Sequence, residues 1–214
     1  MALDRRRFVQ SAVASGLLLS TAPRVRAAQK AKRYRTALIG SGWWGMNILQ
    51  EALASGHCQA VALADVDQDV LELAADRVTQ LSNDQPKIYQ DVREMIDKED
   101  IEIAIVATPD HWHALNAIAA IGAGAHVFVE KPTGHTIGES RAMLNAARAA
   151  NRTVQVGLHR RIGPHYVSGM KFIKEGNVGD IGMVRMFATS SGGAEKPSPN
   201  SPAPETLDWD MYCG

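Results

Sequence analysis

"ALIGSGWWGM", residues 37–46, sets Gly40, Gly42 and Gly45 in a Gly-x-Gly-x-x-Gly spacing with Trp43 and Trp44 inside it. Such a spacing reads either as an ordinary glycine-rich turn or as a loop wrapped around a phosphate, and its surroundings separate the two. Before it, "RTALI" is apolar and strand-like. After it, "WGMNILQEALAS" carries apolar residues at helical spacing and halts at Gly56, a suitable helix C-terminus. "QAVALADVD" then reads as a second strand whose terminal acid, Asp65, falls roughly 20 residues past the glycines. Strand, glycine turn, helix, strand and acid together form the context that a dinucleotide site demands.

In that context Gly40 permits the tight turn, Gly42 lets backbone approach a pyrophosphate, and Gly45 allows close packing of helix on strand. The anion would lie at the helix N-terminus, where free N–H groups and the helix dipole favour negative charge. Asp65 would accept hydrogen bonds from an adenosine ribose. Its charge repels a 2′-phosphate, so NAD is favoured, with NADP possible. Trp43 and Trp44 either shield the phosphates or pack on the surface. A methyltransferase binding S-adenosylmethionine also uses a glycine-rich first turn and a second-strand acid, but the full three-glycine spacing favours a dinucleotide.

Outward from the motif, strands and helices alternate. "DQDVLELAADRVTQL" has helical periodicity with Asp67 as its N-cap, and "SNDQPKIYQD" is a polar connection carrying a short strand or turn. "IEIAIVATP" is the most strand-like run, followed by the helix "HWHALNAIAAIGAG" and the strand "AHVFVEKP". "TIGESRAMLNAARAA" is a helix opened by a Thr136-x-x-Glu139 capping box, and "RTVQVGL" is another strand. The alternation, without hairpin signals, predicts an α/β fold: a Rossmann-type doubly wound parallel sheet covered on both faces. Beyond His159, "GPHYVSGMKFIKEGNVGD" predicts a helix ended by Gly176, and "IGMVRMFATS" predicts a strand. The closing "SGGAEKPSPNSPAPETLDWDMYCG" has no periodicity.

Two further stretches, "ATPDHWH" and "VEKPTGHT", fall at the C-terminal ends of strands, the edge where open α/β sheets bind ligands. Together with the glycines, Asp65, Thr108-Pro109-x-His111-x-His113 and Glu130-Lys131-Pro132 resemble the Gfo/Idh/MocA oxidoreductases over about residues 34–190. The resemblance implies that Lys131 reaches both nicotinamide and a substrate hydroxyl, making it the catalytic residue. It implies that Thr108 and Pro109 line the cofactor pocket and that Glu130 orients Lys131 or the ribose. Cofactor or substrate contact is expected of at least one of His111 and His113, with His113 the assigned one. A metal is not expected, because residues two apart do not share a helix face and no Cys or Glu stands at ligand spacing. His159, with Arg160 and Arg161, ends the last strand and receives no catalytic role.

By the same resemblance, residues 34–158 form the NAD(P)-binding domain, and residues 159–214 begin an incomplete α+β substrate domain. Family members place a further acid and base well beyond position 214, so this chain is expected to be C-terminally truncated and the complete form a homo-oligomer. The implied reaction is hydride transfer between a sugar or polyol carbinol and nicotinamide. Two alternatives stand beside it: a glycosidase or lyase using transient sugar oxidation, and an inactive chain that only binds dinucleotide.

The start of the chain has a different character. Arg5-Arg6-x-Phe8-Val9, a short apolar stretch through Leu19 and Val25-x-Ala27 together resemble a twin-arginine export signal, removed near Ala27 or Ala28. Residues 1–27 are therefore read as a signal peptide and the mature protein as periplasmic; a disordered basic arm is the alternative. That apolar core falls short of the ~20 residues a bilayer span requires, so stable membrane insertion is not expected. Net formal charge is zero over 214 residues, which gives no sign of a nucleic-acid surface. Cys58 and Cys213, the only cysteines, form no disulfide framework.

Overall fold

A computed structural model of the chain describes residues 32–187 and 199–214, of which Arg33–Gly214 form one unit. The twin-arginine segment and residues 188–198 lie outside the described residues. The strands are β1 (Tyr34–Ile39), β2 (Cys58–Ala64), β3 (Lys87–Tyr89), β4 (Ile103–Val106), β5 (His126–Glu130) and β6 (Val154–Gly157). They pair in parallel throughout, in the order β3-β2-β1-β4-β5-β6. The helices are α1 (Trp43–Ala54), α2 (Gln68–Ser82), α3 (Val92–Lys98), α4 (His113–Gly122), α5 (Ile137–Ala149), α6 (Pro164–Lys174) and α7 (Trp209–Cys213). This is the expected doubly wound Rossmann-type sheet.

Both faces are covered because strand side chains alternate. Leu38, Leu63 and Ile105 point to one face and pack with Leu49 of α1 and Leu71 and Val78 of α2. Ile39, Ala64, Val106 and Val129 point to the other, against Met95 of α3, Ile121 of α4 and Met143 of α5. Fully burying a side chain such as Leu49 contributes about 1.5–3 kcal/mol. Reversal of strand order occurs between β1 and β4, which opens a crevice at their carboxyl ends.

Local signals set the helix starts. Asp67 accepts from Asp69 N–H at 3.0 Å, and Thr136 and Glu139 complete the capping box. Helix α1 stops before Gly56, whose φ of 74° is the left-handed conformation open to glycine. Helix α3, capped by Asp91, was not foreseen: seven residues are too few to display a helical period.

Two regions depart from expectation. Residues 181–187 form no strand; a strand needs a hydrogen-bonded neighbour, and none of the described residues supplies one, so Phe187 is left 86% exposed. Conversely, the aperiodic closing stretch is not structureless. Asp67 and Leu207 form an antiparallel bridge, and Asp208 caps α7 by accepting from Met211 N–H at 2.9 Å. No helix among the described residues is long and apolar enough to cross a membrane.

Candidate dinucleotide and substrate site

The glycine turn joins β1 to α1 at the crevice. Gly40 has φ 89°, and a Cβ there would come within 2.7 Å of Ala107 and Thr108 backbone, so both conformation and space demand glycine. A Cβ on Gly45 would overlap the Gly40 carbonyl oxygen, so α1 can sit this close to the turn only without one. At Gly42 a Cβ would meet nothing within 4 Å: the residue faces open space in front of the α1 N-terminus. Neither a side-chain cap nor a first-turn acid occupies that terminus. Its N–H groups are therefore available to an anion.

Asp65 follows β2 directly beside the turn. Its Oδ2 accepts from Ser41 N–H at 2.7 Å and its Oδ1 from Asp67 N–H at 3.2 Å. Burial pushes its carboxyl above the ordinary 3.8, an effect opposed by those two N–H donors. Trp43 is 77% exposed and meets Trp44 edge-on at 5.3 Å, while Trp44 lies 5.4 Å from the His159 ring.

A cleft of about 1300 Å³ runs from Asp65 and Gly42 to Thr108 and Pro109. A smaller one of about 370 Å³ holds Glu130, Lys131 and His159, and the two share Trp43, Trp44, Ala107 and Thr108. Thr108 Oγ1, at this junction, is the one buried side-chain oxygen or nitrogen without a hydrogen-bond partner among the described residues. An unmade buried hydrogen bond costs about 1–3 kcal/mol, which a ligand bearing hydroxyls or phosphates would recover. Glycine cradle, free helix N-terminus and orphaned hydroxyl together fit a dinucleotide.

Lys131 is exposed, at the end of β5, and its peptide bond to Pro132 is cis. Its backbone N–H donates to Glu130 Oε2 at 3.0 Å. Glu130 is buried against Gly157, where a Cβ would overlap its carboxylate; glycine on the neighbouring strand makes the space for the acid.

His113 lines the smaller cleft beside Glu130 and Lys131, but through a ring whose two nitrogens are already engaged. The ring is 1% exposed, with Nδ1 2.5 Å from Pro132 O and Nε2 2.8 Å from Thr108 O. Both nitrogens face backbone carbonyls, so neither is free to bond a ligand. The ring instead ties the loop after β4 to the loop carrying Lys131, which makes it a positioning residue. His111 faces Tyr212 O at 3.0 Å. Among the described residues no group of three or more His, Cys, Asp or Glu could hold a metal ion.

Sequence reasoning missed three residues that line the large cleft, Leu207, Met211 and Tyr212. They lie about 140 positions beyond Asp65, in a stretch without periodicity, and no local signal marks them.

Known proteins bear on this arrangement. The profile of the GFO_IDH_MocA family, described as an oxidoreductase family with an NAD-binding Rossmann fold, matches residues 34–158. Levoglucosan dehydrogenase of Pseudarthrobacter phenanthrenivorans is 39% identical over 119 residues, covering 56% of this chain and 29% of that protein. A Shewanella sp. protein named glycosyl hydrolase family 109 protein 1 is 25% identical over 203 residues, covering 84% of this chain and 44% of its own length. The crystal structure of myo-inositol 2-dehydrogenase from Lactobacillus plantarum superposes with a TM-score of 0.62 at 29% identity, covering 70% of this chain and 43% of that one. The chain spans under half the length of each of these relatives. With a matching profile over more than half its residues and the strand order to go with it, the chain belongs to the Gfo/Idh/MocA oxidoreductase family, its NAD-binding Rossmann domain lying at residues 34–158.

Proposed function

We propose that this protein serves NAD-dependent hydride transfer at a carbinol carbon of a sugar or polyol, with the dinucleotide in the β1/β4 crevice. The observation that carries the reading is the junction at Thr108, where the glycine-lined cleft meets the cleft holding Lys131. Bound NAD would supply the hydride acceptor. The chain's own residues do the rest. The Lys131 ammonium orients a substrate hydroxyl and stabilises negative charge growing on its oxygen as the hydroxyl proton passes to solvent, to which Lys131 is exposed. Glu130 holds the Lys131 backbone, and His113 fixes the loop beneath it. The names of the levoglucosan and inositol dehydrogenases support a cyclic polyol or anhydrosugar as substrate class. Among the described residues, Asp65, Asp67, Asp91, Asp208 and Asp210 line the cleft against a single arginine, Arg93, which is paired with Asp91 at 2.7 Å, and this excess of carboxylates favours NAD over its 2′-phosphorylated form.

The experiment is NADH formation with a panel of cyclitols and anhydrosugars, comparing the native protein with Lys131→Met. Loss of at least about 100-fold in kcat with NADH affinity little changed is expected. Full turnover in that variant refutes the assignment. A second reading has its own support in the glycosyl hydrolase family 109 relative, whose match extends past the Rossmann domain. It is glycoside cleavage through transient oxidation, and it would show sugar release without net NADH.

Export by the twin-arginine route, and so a periplasmic location, rests on Arg5-Arg6-x-Phe8-Val9. A reporter fused behind residues 1–31 should be exported, and should remain inside when both arginines become lysine. Self-association of the complete protein rests on the family resemblance alone and is checked by light scattering.

A further inference from the structure

Residues 206–214 are fastened at two places on opposite sides of β1. At one end they hold the exit of β2: Gln68 N–H donates to Thr206 O and Asp208 N–H to Val66 O, each at 3.0 Å, around the Asp67–Leu207 bridge. Gln90 Nε2 adds a bond to Thr206 O at 3.3 Å. At the other end they hold the exit of β4, where Trp112 Nε1 donates to Tyr212 O at 3.3 Å and His111 Nε2 lies 3.0 Å from the same oxygen. In the sheet, β1 stands between β2 and β4. A chain anchored on both neighbours must cross the carboxyl end of β1, which is the glycine turn. Leu207, Met211 and Tyr212 line the large cleft along this crossing, and the short helix α7 keeps the segment compact.

We propose that residues 206–214 form the roof of the dinucleotide crevice, a cofactor-binding element that contacts the adenosine half and slows its release. The inference rests on the reading of the crevice as an NAD site. Leu207 and Met211 supply an apolar wall for the adenine in the cleft that Asp65 also lines. Release of the cofactor requires one of the two anchors to open. Each anchor consists of only a few hydrogen bonds, those from Gln90, His111 and Trp112 being exposed, weak enough to open without unfolding the sheet.

The test measures NADH dissociation by displacement from the full chain and from two variants. Asp208→Pro deletes the N–H that bonds Val66 O, at a residue whose φ of −71° suits proline, and with it the carboxylate that caps α7, so Asp208→Asn, which keeps the N–H and a capping oxygen, is its control. Trp112→Phe deletes the indole N–H that bonds Tyr212 O while keeping an aromatic ring. Dissociation about fivefold faster in each variant, and faster again in the double variant, is expected. ADP-ribose, which carries adenosine and pyrophosphate without nicotinamide, should show the same acceleration. Rates within twofold of the native chain in Trp112→Phe, with an unchanged far-UV spectrum, overturn the roof. So does an effect on NADH that is absent for ADP-ribose. If the native chain binds neither nucleotide, the cofactor reading itself fails and the roof falls with it, whereas tight native binding with unaffected variants removes the roof alone.

Discussion

The N–H of Ser41 donates to Asp65 Oδ2 at 2.7 Å, so the acid that follows β2 is fastened to the turn that follows β1. One carboxylate thereby has two duties, shaping the glycine turn and facing the ribose end of the cleft. Asp65→Asn separates them: the amide oxygen can still accept from Ser41, while the charge and the second acceptor are lost. NADH affinity should fall about tenfold and the NADH/NADPH preference should narrow, both read by titration. Unchanged selectivity would show that Asp65 only braces the turn.

Gly42 and Gly45 sit three residues apart yet answer to different neighbours. Gly45→Ala drives a methyl into the Gly40 carbonyl and should destabilise the fold by about 1–3 kcal/mol in denaturant melts. Gly42→Ala meets no atom of the protein and should leave stability within about 0.5 kcal/mol. Its NADH affinity should nevertheless drop, because the methyl points into the space assigned to pyrophosphate. Wild-type affinity in Gly42→Ala would move the phosphate elsewhere.

Thr108→Val removes the orphaned hydroxyl at nearly constant volume. Without cofactor the variant should be as stable as the native chain or more so, by up to about 1 kcal/mol. Its stabilisation by added NADH should be smaller, which paired melting curves would reveal. Equal stabilisation would mean the hydroxyl plays no part in binding.

A polar cluster away from the crevice makes a pH prediction. Glu99 Oε1 accepts from Lys87 Nζ at 2.7 Å and from Tyr89 Oη at 2.6 Å, which together hold the Glu99 carboxyl below its ordinary 4.5, the lysine bond being the larger cause. Burial, then the bond to Glu99, pushes the Tyr89 phenol up from 10 to about 12. A depressed acid stabilises the fold above its ordinary value and loses that contribution as pH falls through the lower folded value. A raised phenol is fully stabilising below pH 10 and loses its contribution as pH climbs from 10 to about 12. Glu99→Gln should cost about 1 kcal/mol at pH 7, with the gap to the native chain closing below pH 4.5. A gap independent of pH would show that packing rather than charge is responsible.

The sheet and the glycine cradle were legible in the sequence because their causes are local. Apolar alternation, helical period, the Asp67 cap and the Thr136–Glu139 box each act within a few residues, and Gly40, Gly42 and Gly45 declare a backbone requirement wherever they fold. Helix α3 escaped notice because it is too short to show a period. Residues 181–187 have a strand-like sequence but form no strand, because such a run becomes a strand only where a sheet edge is present to receive it. What tertiary structure alone decided are the relations between distant segments. His113 reads in sequence as one more histidine near a ligand-binding edge, yet its two nitrogens are taken by Thr108 and Pro132 carbonyls, one of them 19 residues away. Tyr212 meets Trp112 across 100 positions, and Leu207 pairs with Asp67 in a backbone bridge at the far end of the same segment. Such contacts arise from chain topology, which brings the exits of β2 and β4 to either side of β1, and no property of residues 206–214 taken alone announces it.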